Sequence, residues 1–393
     1  MITDIYIGAA RRTPLGSFLG SLSSLSATDL GATVIQAAVA DSGIDPAAID
    51  EVLMGCILPA GLGQAPARQA ALKAGIPPSV PCTTINKVCG SAMKAVMLGY
   101  DQIRAGSARS VVAGGMESMS NAPYLVPHAR KGLRMGPQQL LDHMLYDGLQ
   151  DPESGELMGY FAEVCADRYG STRLEQDEYA VESVRRSLAA IESGAFQAEI
   201  VPVVVAQRGG TVTVSEDEQP RKCDLSKVAL MKPAFRQEGG TVTAANASSI
   251  SDGAAAVFLL RADVAEDLGV TPLARILGHA THAQAPGEFT TAPIGAIEKL
   301  YEKLGWTDND VDLYEINEAF AVVALVAIQE LRLDPAKVNV HGGACALGHP
   351  IGATGARLIV TLVHALKRHG YKRGIASLCL GGGEATALAV ETV

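Results

Sequence analysis

Cys89, His349 and Cys379 are residue types that can together carry an acyl group and move a proton, and each lies within two residues of a glycine. Cys89 stands where the β-branched run Thr83-Thr84-Ile85 gives way, through Gly90-Ser91, to a helical pattern. Ala92, Ala95, Val96, Gly99, Tyr100 and Ile103 recur at three- and four-residue spacing, and Gly106 stops the run. A thiol at a helix start meets free N–H groups and the positive end of the dipole, which predicts a lowered pKa and a nucleophile. The other reading is a small buried hydrophobe, since free cysteine is among the most buried residue types. His349 lies in Gly348-His349-Pro350-Ile351-Gly352, a constrained turn before a helix, where an imidazole serves as general base or as a structural hydrogen-bonding group. Cys379 ends a strand just before Gly381-Gly382-Gly383, whose N–H groups suit a developing oxyanion, although a buried strand cysteine looks the same. Asn317 opens Asn-Glu-Ala-Phe after a strand ending at Ile316, either as a reactive amide or as the N-cap of a helix over about 318–332.

The elements that must position these residues alternate. A strand over Ile2–Ala9, a helix over Ala27–Ser42 stopped by Gly43, a strand over Asp50–Ile57, a Gly/Pro loop, the Cys89 unit and a strand from Ser110 predict a mainly parallel sheet covered on both faces. Between about 118 and 249 the pattern breaks at Pro123, Pro127 and Pro137, which predicts an inserted loop domain. Within it, Thr172-Arg-Leu-Glu175 is a capping box for a helix reaching about Ser193. Alternation returns at Gly253 and ends in a unit of the same plan as the Cys89 unit: strand, glycine-marked turn, helix, strand, glycine cluster. The chain therefore divides into an N-terminal half, 1–270, carrying the insertion, and a C-terminal half, 271–393, each contributing one reactive turn.

Composition fits this α/β reading. The chain has 393 residues, 48% of them hydrophobic and only 5% aromatic, enough to fill tightly packed layers. A net charge of -10 argues against nucleic acid or an anionic membrane as partner. The opening MITDIYIGAARRTPLGSF lacks a charged segment followed by an apolar core, and no apolar run reaches membrane-spanning length, so a soluble, cytoplasmic protein is expected. The seven cysteines contain no C-x-x-C pair, which indicates neither a disulfide framework nor a metal site.

INKVCGSAMKAV (85–96), GGMESMS (114–120), NEAFA (317–321), HGGACALGHPIGATGAR (341–357) and CLGGGEATA (379–387), in that order, resemble the thiolase family over essentially the whole chain, most closely its biosynthetic acetyl-transferring branch. The resemblance implies a five-layered αβαβα core and an acetyl-CoA C-acetyltransferase joining two acetyl-CoA into acetoacetyl-CoA and CoA, or reversing that by thiolysis. It places Cys89 on the acylated nucleophile, His349 on its base and Cys379 on the second acid/base. It further implies that Asn317 holds a water in one oxyanion site with His349, and that the N–H groups of Cys89 and Gly381 form the other. Ser248 and Met158 fall on residues of the pantetheine tunnel. Lys131, Arg134, Arg221, Lys222 and Lys227 are candidates for the CoA phosphates. No separate cofactor is implied, CoA being substrate and product, and a homotetramer built as a dimer of dimers is expected.

Some positions depart from the family pattern. Leu157 stands where acetoacetyl-selective members usually carry histidine, Ala92 replaces a glycine one turn from Cys89, and Glu384 follows the glycine triplet where methionine is common. Leu157 keeps open a degradative 3-ketoacyl-CoA thiolase acting on longer chains. A decarboxylating β-ketoacyl synthase fits less well, since that group lacks a cysteine at position 379, and the complete reactive set argues against a non-catalytic acyl-CoA binder.

Overall fold

The computed structural model describes residues 4–393. Its framework strands are β1 (Ile5–Arg12), β2 (Glu51–Gly55), β3 (Cys82–Ile85), β4 (Ser110–Ser118), β5 (Ser251–Arg261), β6 (Ala274–Ala283), β7 (Leu313–Ile316), β8 (Arg373–Leu380) and β9 (Glu384–Thr392). Its principal helices are α1 (Ala27–Ser42), α2 (Pro66–Lys73), α3 (Ser91–Ala105), α4 (Met158–Tyr169), α5 (Arg173–Glu192), α6 (Ala292–Leu304), α7 (Ala321–Leu331) and α8 (Thr354–His369). The first strand thus lies later than expected, and Ile2 falls outside the described residues.

The strands run in the order β7-β8-β9-β6-β1-β5-β4-β2-β3, the two halves meeting where β1 pairs with β6 at Tyr6–Arg275 and Ile7–Ala274. The expected mainly parallel sheet is corrected. Only β2–β3, β2–β4 and β7–β8 are parallel, and the other framework pairs are antiparallel. The physical reason is connection: β5 returns after the inserted domain, and β9 follows β8 through a hairpin, so neither β5 nor β9 is placed by a strand-helix-strand crossover.

α3 and α8 lie between the two half-sheets and share one apolar cluster with the inward faces of both. α8 is buried from Thr354 through Val363, as a helix lying inside a protein must be. α1 and α2 cover the outer face of the N-terminal half-sheet, and α6 that of the C-terminal one, which completes the αβαβα layers. Fully burying a leucine or isoleucine such as Leu358 or Ile359 contributes about 1.5–3 kcal/mol. The central helices touch backbone to backbone. A Cβ on Gly355 of α8 would stand 2.5 Å from the Met93 nitrogen of α3, so only glycine fits.

The insertion carries α4, α5, a hairpin of Val203–Gln207 with Gly210–Val214, and a short exposed pairing of Tyr124–Leu125 with Leu141–Asp142. α5 begins at the capping box: the Thr172 hydroxyl accepts from the Glu175 amide and the Glu175 carboxylate accepts from the Thr172 amide. Arg12 at the end of β1 ties the insertion down. Its Nε donates to Glu199 at 2.5 Å and its two terminal nitrogens donate to Asp217 at 2.6 and 2.9 Å, all three side chains being buried.

Candidate active site

Cys89 sits in a tight turn between β3 and α3. Lys87 and Val88 carbonyls accept from the Gly90 and Ser91 amides, and the Ser91 hydroxyl accepts from the Lys87 amide at 2.8 Å while donating to Val88 at 2.6 Å. Val88, immediately before Cys89, has φ +44°. A β-branched residue in that left-handed region is strained, and the surrounding contacts must hold it there. The turn packs against the end of β8: a Cβ on Gly90 would lie 2.4 Å from a Leu380 methyl.

The backbone N–H groups of Gly381 and of Cys89 itself lie near enough to the Cys89 thiol to favour its thiolate. The two turns, one from each half of the chain, therefore converge on one sulfur. Burial nevertheless pushes this thiol up to about 11, outweighing those two donors, with the buried carboxylate of Glu117 adding to the rise. The lowered pKa expected from the helix start is thus corrected. α3 begins at Ser91 with Gly90 as its cap, so the thiol precedes the helix, and desolvation dominates there. Cys379 is fully buried near the end of β8, and burial followed by the neighbouring Cys89 sulfur pushes its thiol well above the ordinary range.

His349 is buried, and its pKa is pulled down to about 3 by burial and then by the Arg357 guanidinium, so the ring is neutral. Its Nδ1 lies 2.6 Å from the Thr354 hydroxyl, and that hydroxyl donates to the Pro350 carbonyl at 2.9 Å. Nε2 faces the Asn317 amide nitrogen at 3.4 Å. Asn317 is not an N-cap, since α7 starts at Ala321 with Phe320 at the cap; its side chain is fully buried and its Oδ1 has no hydrogen-bond partner among the described residues. Glu318 beside it does structural work, accepting from Tyr179, Ser183, Asn339 and the Cys345 amide.

A cavity of about 480 Å³ opens onto His349. Leu157, Met158 and Ser248 line it together with Leu145, Leu149, Phe235 and Ile351, so its wall is mostly apolar. The basic candidates lie elsewhere. Arg221, Lys222 and Lys227 pair with Glu216, Glu218 and Asp224, while Lys131 and Arg134 are exposed beside the Tyr124–Asp142 pairing. Among the described residues no group of three or more His, Cys, Asp or Glu side chains is arranged to hold a metal.

Sequence reasoning missed Thr354, whose signal was its place at the start of α8, five residues beyond His349. It also missed Glu117, fully buried, pushed up to about 7 by burial and accepting from the Ile57 and Leu58 amides at 3.0 and 3.2 Å. Glu384 finds a partner that sequence order hid: it forms an ion pair with Lys87.

Two family models cover almost all of this architecture, a thiolase N-terminal domain over residues 5–263 and a thiolase C-terminal domain over residues 270–392. The chain is 52% identical over 390 residues to acetyl-CoA acetyltransferase 1 of Arabidopsis thaliana, spanning 99% of this chain and 94% of that protein. It is 50% identical over 392 residues to the acetyl-CoA acetyltransferase of Cupriavidus necator, spanning 99% and 100%. Among solved structures, Acat5 thiolase from Ascaris suum in complex with coenzyme A superimposes with a TM-score of 0.95 at 46% identity, covering 99% of this chain and 100% of that one. The Bacillus anthracis acetyl-CoA acetyltransferase gives 0.97 at 43% identity, covering 100% and 99%.

Proposed function

The chain belongs to the thiolase family, and from that premise we propose the roles of its residues as an acetyl-CoA C-acetyltransferase. The observation that carries the reading is the convergence of two backbone N–H donors on the Cys89 sulfur, with Cys379 beside it.

His349 takes the Cys89 proton as the sulfur attacks the thioester carbonyl of acetyl-CoA; the Cys89 and Gly381 N–H groups hold the oxyanion. Cys379 gives its proton to departing CoA, leaving acetyl-Cys89 and a Cys379 thiolate. Because burial and the neighbouring sulfur make Cys379 a weak acid, its thiolate is a strong enough base to take the α-proton of a second acetyl-CoA. The enolate oxygen is held by protonated His349 and by a water accepted at Asn317 Oδ1, the unpartnered acceptor of the site. The enolate carbon attacks acetyl-Cys89, acetoacetyl-CoA leaves, and His349 returns its proton to Cys89. No separate cofactor enters, and thiolysis is the same path reversed.

Ser248 and Met158 are assigned to pantetheine, and Lys131, Arg134, Arg221, Lys222 and Lys227 to the phosphates, the exposed pairs of Arg221 and Lys227 being weak enough to exchange partners. A homotetramer is supported by the exposed apolar side chains of the 124–142 segment, Met135 at 93% and Tyr124 at 64%, which a partner chain would cover. A cytoplasmic site is supported by seven free cysteines. No described helix is long and apolar enough to cross a membrane.

The test is steady-state thiolysis across 3-ketoacyl-CoA chain lengths, with Cys89→Ala as control. Cleavage of acetoacetyl-CoA that is lost in the variant is expected. Retained condensation in Cys89→Ala would overturn the assignment.

A further inference from the structure

The two oxyanion donors belong to turns from opposite halves of the chain. Val88 precedes Cys89 at φ +44°, a conformation the turn does not favour by itself. The glycine turn is rigid on its far side: Glu384 is the first residue of β9 and is paired in register with Leu380 of β8 and Ala283 of β6, and the Gly383 carbonyl accepts from the Gln284 amide at 2.8 Å. The nucleophile turn has no strand pairing of this kind to the C-terminal half. Its contacts there include the packing of Leu380 and Val88 against Gly90 and Gly381, and one link between charged side chains. That link is the ion pair of Lys87 with Glu384, two residues before one donor and three after the other. Both side chains are more than half buried, at 23% and 34% exposure, so the pair is partly shielded from water and salt.

We propose that Lys87 and Glu384 are positioning residues that clamp the strained nucleophile turn to the glycine turn and so hold the Cys89 and Gly381 N–H groups on the acyl oxygen. Neither touches the reacting atoms. Apolar packing is non-directional and keeps the turns together, whereas the charged pair fixes how far one slides along the other. A donor's contribution depends on its distance from the position the oxyanion takes, so a small slide lowers the rate of acylation without loosening CoA, whose assigned contacts Ser248 and Met158 line the cavity at His349 and include neither Lys87 nor Glu384. The proposal rests on the reading of Cys89 as acyl acceptor.

The test uses the full-length enzyme with Glu384→Gln, Glu384→Met and the exchange Lys87→Glu/Glu384→Lys, measuring kcat and KM for acetoacetyl-CoA thiolysis alongside Tm. Each single variant is expected to lower kcat by about tenfold with KM little changed, and the exchange to recover most of that loss. Wild-type kcat in both single variants would overturn the clamp. So would singles that lose kcat and Tm together with no recovery in the exchange, which marks a purely structural pair. An inactive wild type would instead sink the reading of Cys89 itself.

Discussion

His349 Nδ1 and the Thr354 hydroxyl are joined at 2.6 Å, and the single hydroxyl hydrogen is spent on the Pro350 carbonyl. The proton in the first contact must therefore be on Nδ1, which leaves Nε2 as the bare, basic nitrogen of a neutral ring. One hydroxyl at the start of α8 thus selects the tautomer that can accept the proton of Cys89.

Replacing Thr354 by valine, nearly the same shape without the hydroxyl, is expected to lower kcat by about tenfold or more by freeing the ring to rotate and change tautomer. Thr354→Ser, which keeps the oxygen, should remain close to wild type. Steady-state thiolysis of acetoacetyl-CoA checks both; equal rates for valine and serine would show that the hydroxyl does not set the ring.

The Cys89 thiol has a definite pH signature. A pKa pushed up to about 11 means that the thiolate fraction grows about tenfold for each pH unit from 7 to 10, with no plateau in that span. His349, pulled down to about 3, stays neutral throughout, so no resting thiolate–imidazolium pair forms at neutral pH. Alkylation of Cys89 by iodoacetamide, followed by mass spectrometry, should climb steadily with pH. A plateau reached below about pH 8.5, the ordinary cysteine value, would instead mean that the two N–H donors outweigh burial.

These contrasts mark what the sequence could and could not reveal. The reactive turns were legible because glycine, a β-branched run and helical spacing are local signals around Cys89 and His349. The sense of the Cys89 shift was not, because it is set by burial between two halves of the chain that no local pattern reports. The sheet was misread as mainly parallel for a related reason: strand-helix alternation describes β2, β3, β4, β7 and β8, but β5 and β9 arrive by an insertion and a hairpin. Thr354 and Glu384 were in view as letters, and only the fold gave each a partner.

Leu157 lines the apolar cavity with Leu145, Leu149 and Phe235, next to Met158. An apolar wall of this kind favours each added methylene of an acyl chain by about 1–3 kcal/mol when it is buried. Leu157→His is therefore expected to reduce kcat/KM for 3-ketohexanoyl-CoA by about tenfold or more relative to acetoacetyl-CoA. An unchanged ratio would place the acyl chain elsewhere.

Arg12 offers a test of how the insertion is held. Its guanidinium is fully buried between Glu199 and Asp217 and lies 4.8 Å from the centre of the Phe196 ring, so three charges share one dry site. Burial alone would favour the neutral form of such a group, yet the two carboxylates drive the Arg12 pKa above its ordinary value. Arg12→Met keeps much of the volume but leaves two carboxylates buried without their cation, which should cost about 3–5 kcal/mol. Neutralising Glu199 and Asp217 in the same chain should recover much of that loss, because it is the uncompensated charge, more than the missing attraction, that destabilises. Urea unfolding followed by circular dichroism measures both differences. If Arg12→Met unfolds at the wild-type midpoint, the network contributes nothing to stability, and the insertion is held by its other contacts, among them the apolar packing of Phe196 and Leu15 and the bonds of Tyr179 and Ser183 to Glu318.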